Sequence, residues 1–160
     1  MALDRAARLR VALDCDGATC VWCGRAFTAQ IVPTTEHVVP RVKGGPSWPE
    51  NEVAACRRCN SDRGHRGPVE WLEECIRRGW DPDEERVVRS LAQLAGAIVR
   101  EGGRRRARPY LDGQLRRLRR GRLDRVTTPV RQNPRWVPLR DLPGVLCVGD
   151  TGFEPVTSSV

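Results

Sequence analysis

Residues 20–23, Cys-Val-Trp-Cys, and residues 56–59, Cys-Arg-Arg-Cys, form two CxxC pairs with 32 residues between them. A CxxC loop turns tightly enough for both thiolates to reach one ion. Two such loops supply the tetrahedral four-sulfur set that structural zinc prefers. Residues 20–67 are dense in Gly, Pro, Cys and Asn and hold only short apolar runs. So short a segment buries little apolar surface and needs a staple, which Zn2+ would provide. A redox pair would need only one CxxC. Closure by Cys20, Cys23, Cys56 and Cys59 leaves no open coordination position, so this metal holds the fold rather than performing chemistry. Cys15, Cys75 and Cys147 fall outside the pattern and read as small core or surface residues.

Working outward, Val38-Val39 and Val53–Ala55 are candidate short strands, separated by a loop marked by Lys43-Gly44-Gly45-Pro46 and Trp48-Pro49. A short helix is expected from Arg57, closed by Gly64 or Gly67, and another from Pro68 to about Arg78. Residues 2–14 read as an amphipathic helix with Leu3, Ala6, Leu9 and Leu13 on one face. Residues 83–101 carry Val87, Leu91, Leu94 and Ile98 at helical spacing, ended by Gly102-Gly103. Residues 107–121 place Leu111, Leu115 and Leu118 on one stripe among arginines. Beyond Arg125, Pro129, Pro134, Pro138 and Pro143 break any regular element. The expected class is α+β. Residues 1–72 would form the core with its N-terminal helix, 73–125 a helical Arg-rich extension and 126–160 an irregular tail.

The chain has 160 residues, 39% hydrophobic and 30% charged, which suits one domain with extensions. No apolar run approaches the ~18 residues that span a bilayer. The first 16 residues are interrupted by Asp4, Arg5, Arg8, Arg10, Asp14 and Asp16, so no secretory signal is expected. Seven cysteines in that setting point to reduced thiols and a cytoplasmic protein. The net charge is +8, and residues 100–125 alone carry 11 arginines against Glu101, Asp112 and Asp124, also +8. Such a tract suits a polyanion, although a solvated helix face would read the same way.

Between and after the cysteine pairs runs TTEHVVPRVKGGPSWPENEVAA, residues 34–55, then CRRCNSDRGHR, residues 56–66. The order of Cys20-Val21-Trp22-Cys23, Glu36-His37-Val38-Val39-Pro40, Gly44-Gly45, Asn51 and Cys56-Arg57-Arg58-Cys59-Asn60 resembles the zinc-containing HNH endonucleases. The likeness covers about residues 15–72. Glu36 departs from the Asp or His that is commoner before the catalytic His. The resemblance implies a ββα-metal hairpin around one divalent ion, Mg2+ or another, and cleavage of DNA in a phage or bacterial setting. It places His37 and Asn51 in the catalytic set, His37 to deprotonate water and Asn51 to brace the loop that orients it. It makes Glu36 and Asn60 the ligands of the catalytic ion.

Elementary chemistry agrees with that implication. Phosphodiester hydrolysis needs an activated water, a stabiliser for the anionic transition state and help for the leaving oxygen. A neutral His suits the first need, and a hard cation on oxygen ligands suits the others. In a strand Glu36 and His37 point to opposite sides, so both serve one ion only if the chain bends or the ion sits at the strand end. Arg41, Lys43, Arg63 and Arg66 flank the site as candidate DNA-backbone contacts. His65 lies five residues after Asn60, poorly placed for the same helix face, and reads as a phosphate contact rather than a second metal ligand. Trp22, Trp48 and Trp71 read as packing residues.

The competing reading is a zinc-ribbon-like module that holds nucleic acid and cuts nothing; it would not need Glu36, His37 and Asn60 together. RNA stays open as a substrate. The C-terminal GDTGFEPVTSSV contains Gly-Phe-Glu-Pro, which a codon reading of GGATTCGAACC would give. That string resembles the complement of a transfer RNA T-arm, so the tail is read as having no selected function.

Overall fold

A computed structural model of the chain describes residues 3–127, with side chains through residue 121. The first helix, α1 (Arg5–Asp16), starts where the Asp4 carboxylate accepts from the Ala7 N–H. Gly17, at φ 80°, ends it by entering the left-handed region.

Two strands follow, β1 (Pro33–His37) and β2 (Glu52–Cys56), paired antiparallel with Glu36 opposite Val53 and His37 opposite Glu52. The expected strand at Val38-Val39 is displaced: the ladder ends at His37, and both valines are buried just beyond it. Pro40 has no N–H to extend a ladder. Instead the Val38 and Val39 amides donate to the main chain and side chain of Asn51, each at 2.8 Å.

The chain continues through α2 (Arg57–Arg63), α3 (Pro68–Arg77), α4 (Glu84–Glu101) and α5 (Ala107–Thr127). These elements match the expected helices. α2 closes at Gly64, and Pro68 occupies the first turn of α3, where its missing N–H goes unneeded. Asp83 caps α4 by accepting from the Arg86 N–H. The α4 stripe of Val87, Leu91, Leu94 and Ile98 is buried, as the spacing predicts. In α5 the inward positions are Leu111, Gln114 and Leu118, with Leu115 only partly buried, and arginines 116, 117, 119 and 120 are exposed.

Both α1 and α4 pack against β2, and all five of its residues are buried. A two-stranded sheet is marginal in water and needs such cover. The resulting class is α+β, with β1, β2 and α2 as a ββα unit. α5 runs six residues past the expected helix end at 121, and two past the expected domain boundary at 125. Positions 128–160, including Pro129, Cys147 and the GDTGFEPVTSSV segment, lie outside the described residues.

Candidate metal centre and catalytic cavity

Cys20 and Cys23 sit on a knuckle that turns at Gly24, whose φ is 69° and whose N–H donates to the Cys20 carbonyl. Cys56 ends β2, and Cys59 lies one turn into α2. All four are buried, and their sulfurs lie within 4.8 Å of one another. A tetrahedral ion at a Zn–S distance of about 2.3 Å needs sulfurs about 3.8 Å apart. The cluster therefore fits zinc in both chemistry and spacing. It is also supplied with donors for thiolate charge. Cys20 Sγ accepts from the Cys56 N–H at 3.2 Å, and the Arg25 guanidinium reaches Cys23 and Cys56 at 3.5 and 3.7 Å. A hydrogen bond from the Cys59 thiol pushes the Cys20 thiol down.

The knuckle carries Trp22 inward to the second site. Trp22 Nε1 donates to the Glu36 carboxylate, and Arg63 Nη1 donates to its other oxygen at 2.6 Å. Glu36 is only 4% exposed, so burial raises its pKa while Arg63 acts in the opposite direction. Arg63 is itself 1% exposed and also donates to the His37 and Val38 carbonyls, at 2.8 and 2.6 Å. Its guanidinium lies 4.8 Å from the centre of the Trp22 ring. The expectation that Arg63 grips DNA is thus corrected. Polarity suggested a surface residue, but the carboxylate and two carbonyls at the end of β1 draw this side chain into the interior.

Removing that strut should cost a great deal. Arg63→Ala leaves Glu36 buried without its counter-charge, a loss of about 3–5 kcal/mol. Arg63→Lys should recover little, because an ammonium cannot reproduce a guanidinium serving four acceptors, the Arg66 carbonyl included. Thermal or urea unfolding of the zinc-loaded variants checks both; wild-type stability in Arg63→Lys would sink the account.

His37 closes β1 and turns its Nε2 toward Ser47 Oγ at 3.0 Å and Glu52 Oε1 at 3.3 Å. Glu52 is its cross-strand partner, buried, and accepts from Arg8 Nε at 3.0 and 2.9 Å. Burial lowers the His37 pKa to about 4, helped by the charges of Arg41, Arg8, Arg63 and Arg5. Glu52 does not reverse this, because Arg8 already balances its charge. The imidazole is therefore neutral at pH 7.

A cavity of about 300 Å³ opens beside it, lined by His37, Glu36, Asn60, Ser47 and the arginines 5, 8 and 41. His37 is the last residue of its strand, so the strand-end condition for Glu36 and His37 to share one site is met. Asn60, on α2, faces the same cavity and donates from Nδ2 to the Thr35 carbonyl at 3.3 Å.

Asn51 does not line this cavity. It is fully buried, accepting from the Val39 N–H and donating to the Val39 and Pro46 carbonyls at 3.0 and 2.9 Å. These bonds tie down the loop that carries Ser47 to His37. Gly45 is required there, since a Cβ would lie 1.9 Å from the Val39 carbonyl oxygen.

Residues 20–73 match the HNH endonuclease family. The match spans 54 of the 160 residues and contains the four cysteines, the ββα unit and His37. The HNH family is a family of nucleases acting on nucleic acids, built on a ββα-metal fold. No curated protein matches the chain. Among the described residues, no helix is long and apolar enough to cross a membrane.

The remaining expected contacts divide between two places. Arg41 lines the His37 cavity. Lys43, His65 and Arg66 line a different one of about 570 Å³, with Tyr110 and Arg117 of α5. Arg66 is partly committed, donating to the Asp62 and Arg63 carbonyls above the Trp71 ring. Sequence reasoning missed Glu52, Ser47 and Arg8. No local signal marks them, because Glu52 and Ser47 reach His37, and Arg8 reaches Glu52, only through strand pairing, loop folding or helix packing.

Proposed function

We propose that this HNH domain hydrolyses DNA phosphodiester bonds within the strand, with His37 as general base. The observation that carries the reading is a neutral imidazole at the end of β1, tied at Nε2 and facing a cavity that also presents Glu36 and Asn60. With Nε2–H donated to Glu52, the free lone pair falls on Nδ1, which takes the proton of the attacking water. Glu52 and Ser47 hold the ring; Arg8 holds Glu52. Asn51 keeps the Ser47 loop in place.

Glu36 and Asn60 offer hard oxygen donors, which suit Mg2+ or a similar ion. When bound, such an ion would stabilise the anionic transition state and the leaving oxygen. Arg63 balances the Glu36 charge, so these two residues would hold an ion weakly until a substrate phosphate completes the ligand set. The cysteine cluster takes the structural Zn2+. Residues 1–72 then form the nuclease core, and the arginines of the 73–125 extension, together with Lys43, His65 and Arg66, contact the DNA backbone without reading sequence.

The test is conversion of supercoiled plasmid to nicked or linear DNA by purified protein with added Mg2+ or Mn2+. Cleavage is expected with the ion and not without it, at constant zinc content. Binding without cutting across several divalent ions would instead favour the non-catalytic zinc-ribbon-like module.

A further inference from the structure

We propose that α1, which lies outside the segment matching the HNH family, supplies part of the DNA-binding groove, with a strand running past Arg41, Arg5 and Arg57 across the mouth of the His37 cavity. The inference rests on the nuclease reading and adds to it the surface that presents the strand.

Arg5 is exposed, yet its guanidinium is located by a 2.8 Å hydrogen bond from Nη2 to Thr34 Oγ1 on β1. It lines three neighbouring cavities. One, of about 300 Å³, holds His37 and Arg41. The second, of about 530 Å³, holds Asn60, Ser61 and Arg57; the third, of about 360 Å³, again holds Arg57. Arg5 is therefore the shared wall of a groove from Arg41 at one end to Arg57 at the other.

Charge pairing separates these arginines from the structural ones. Arg63 and Arg8 are paired with Glu36 and Glu52. Arg5, Arg41 and Arg57 are exposed and enter no ion pair among the described residues. The two carboxylates near the groove are thus already compensated, and three guanidinium groups face solvent along its length. A guanidinium fork matches a phosphate bidentately. A row of them suits successive phosphates of one strand, which the nuclease reading identifies as DNA.

The test measures binding and cutting separately on the full-length, zinc-loaded protein. Anisotropy of a fluorescein-labelled mixed-sequence DNA duplex is followed across a NaCl titration, without divalent ion. Each lost phosphate contact lowers the slope of log K against log salt by about 0.9. Arg5→Gln and Arg57→Gln are each expected to lower it by about that amount, and similarly on unrelated sequences. Arg10→Gln removes the same charge from the same helix at an exposed position outside the three cavities, and should leave the slope unchanged. A wild-type slope in Arg5→Gln, or an equal drop in Arg10→Gln, overturns the groove. So does tighter binding of an RNA of the same sequence with the slope change confined to it. If plasmid is nicked but the Arg5→Gln slope is unchanged, the groove falls and the nuclease stands. If plasmid is never nicked but the slope drops, the groove stands as a binding surface and the nuclease reading falls.

Discussion

His37→Ala is expected to lose cleavage by about 10²–10⁴-fold, the usual contribution of a positioned general base. The loss should fall on the rate of the chemical step and leave DNA binding nearly intact. His37 sits at the end of a strand, is partly exposed, and among the described residues its side chain is held through Nε2, by Ser47 and Glu52. Its removal leaves Glu52 still paired with Arg8 and leaves the cysteine cluster untouched. The variant should therefore retain zinc and unfold at the wild-type temperature. Single-turnover nicking at saturating protein, with zinc content and thermal melting measured on the same preparation, tests this. A zinc-loaded His37→Ala that cuts at the wild-type rate would move the base elsewhere. A variant that loses zinc would place His37 in the fold rather than in the chemistry.

The difference between His37 and its neighbours shows which features were legible in the sequence. The four-cysteine cluster was legible because CxxC spacing is a local property, and two loops of that kind have few other uses. The helices were legible because Val87, Leu91, Leu94 and Ile98 repeat at the helical period and Asp83, Pro68 and Gly64 mark ends. Glu52 was not legible. Nothing about a glutamate one residue after Asn51 signals that antiparallel pairing will set it opposite His37. Arg63 was misread for a related reason. An arginine in an Arg-rich chain looks solvated, and only the fold shows a carboxylate and two carbonyls converging on it. Arg5 and Arg8 figured only as charges interrupting the first 16 residues, because their approach to the site depends on how α1 packs on the strands. What escaped the sequence is charge compensation across long separations, the part of a site that tertiary packing decides.

Cys59→Ser should be the most destructive single change. Structural zinc in small modules contributes about 10–16 kcal/mol, while a whole domain is stable by only about 5–15 kcal/mol. Cys59 is fully buried on α2, and its sulfur belongs to a cluster that joins α2 to the Cys20 knuckle and the end of β2. Without the ion, three buried thiols and the introduced hydroxyl replace four metal-bound thiolates. The sheet then rests on two five-residue strands covered by helices. Trp22 leaves with the knuckle, which removes one of the two donors to Glu36 and the ring beneath Arg63. The expected outcome is loss of zinc, loss of amide-exchange protection across β1 and β2, and no cleavage. A strong chelator added to wild type should reproduce all three, and readdition of Zn2+ should reverse them. Substitution of Cys75, buried on α3 outside the cluster, should leave zinc stoichiometry unchanged. A folded, active Cys59→Ser protein would mean that hydrophobic packing alone holds the ββα unit. The small, largely polar interior between the two cysteine pairs, where Glu36, Asn51 and Arg63 are all buried, argues against that outcome.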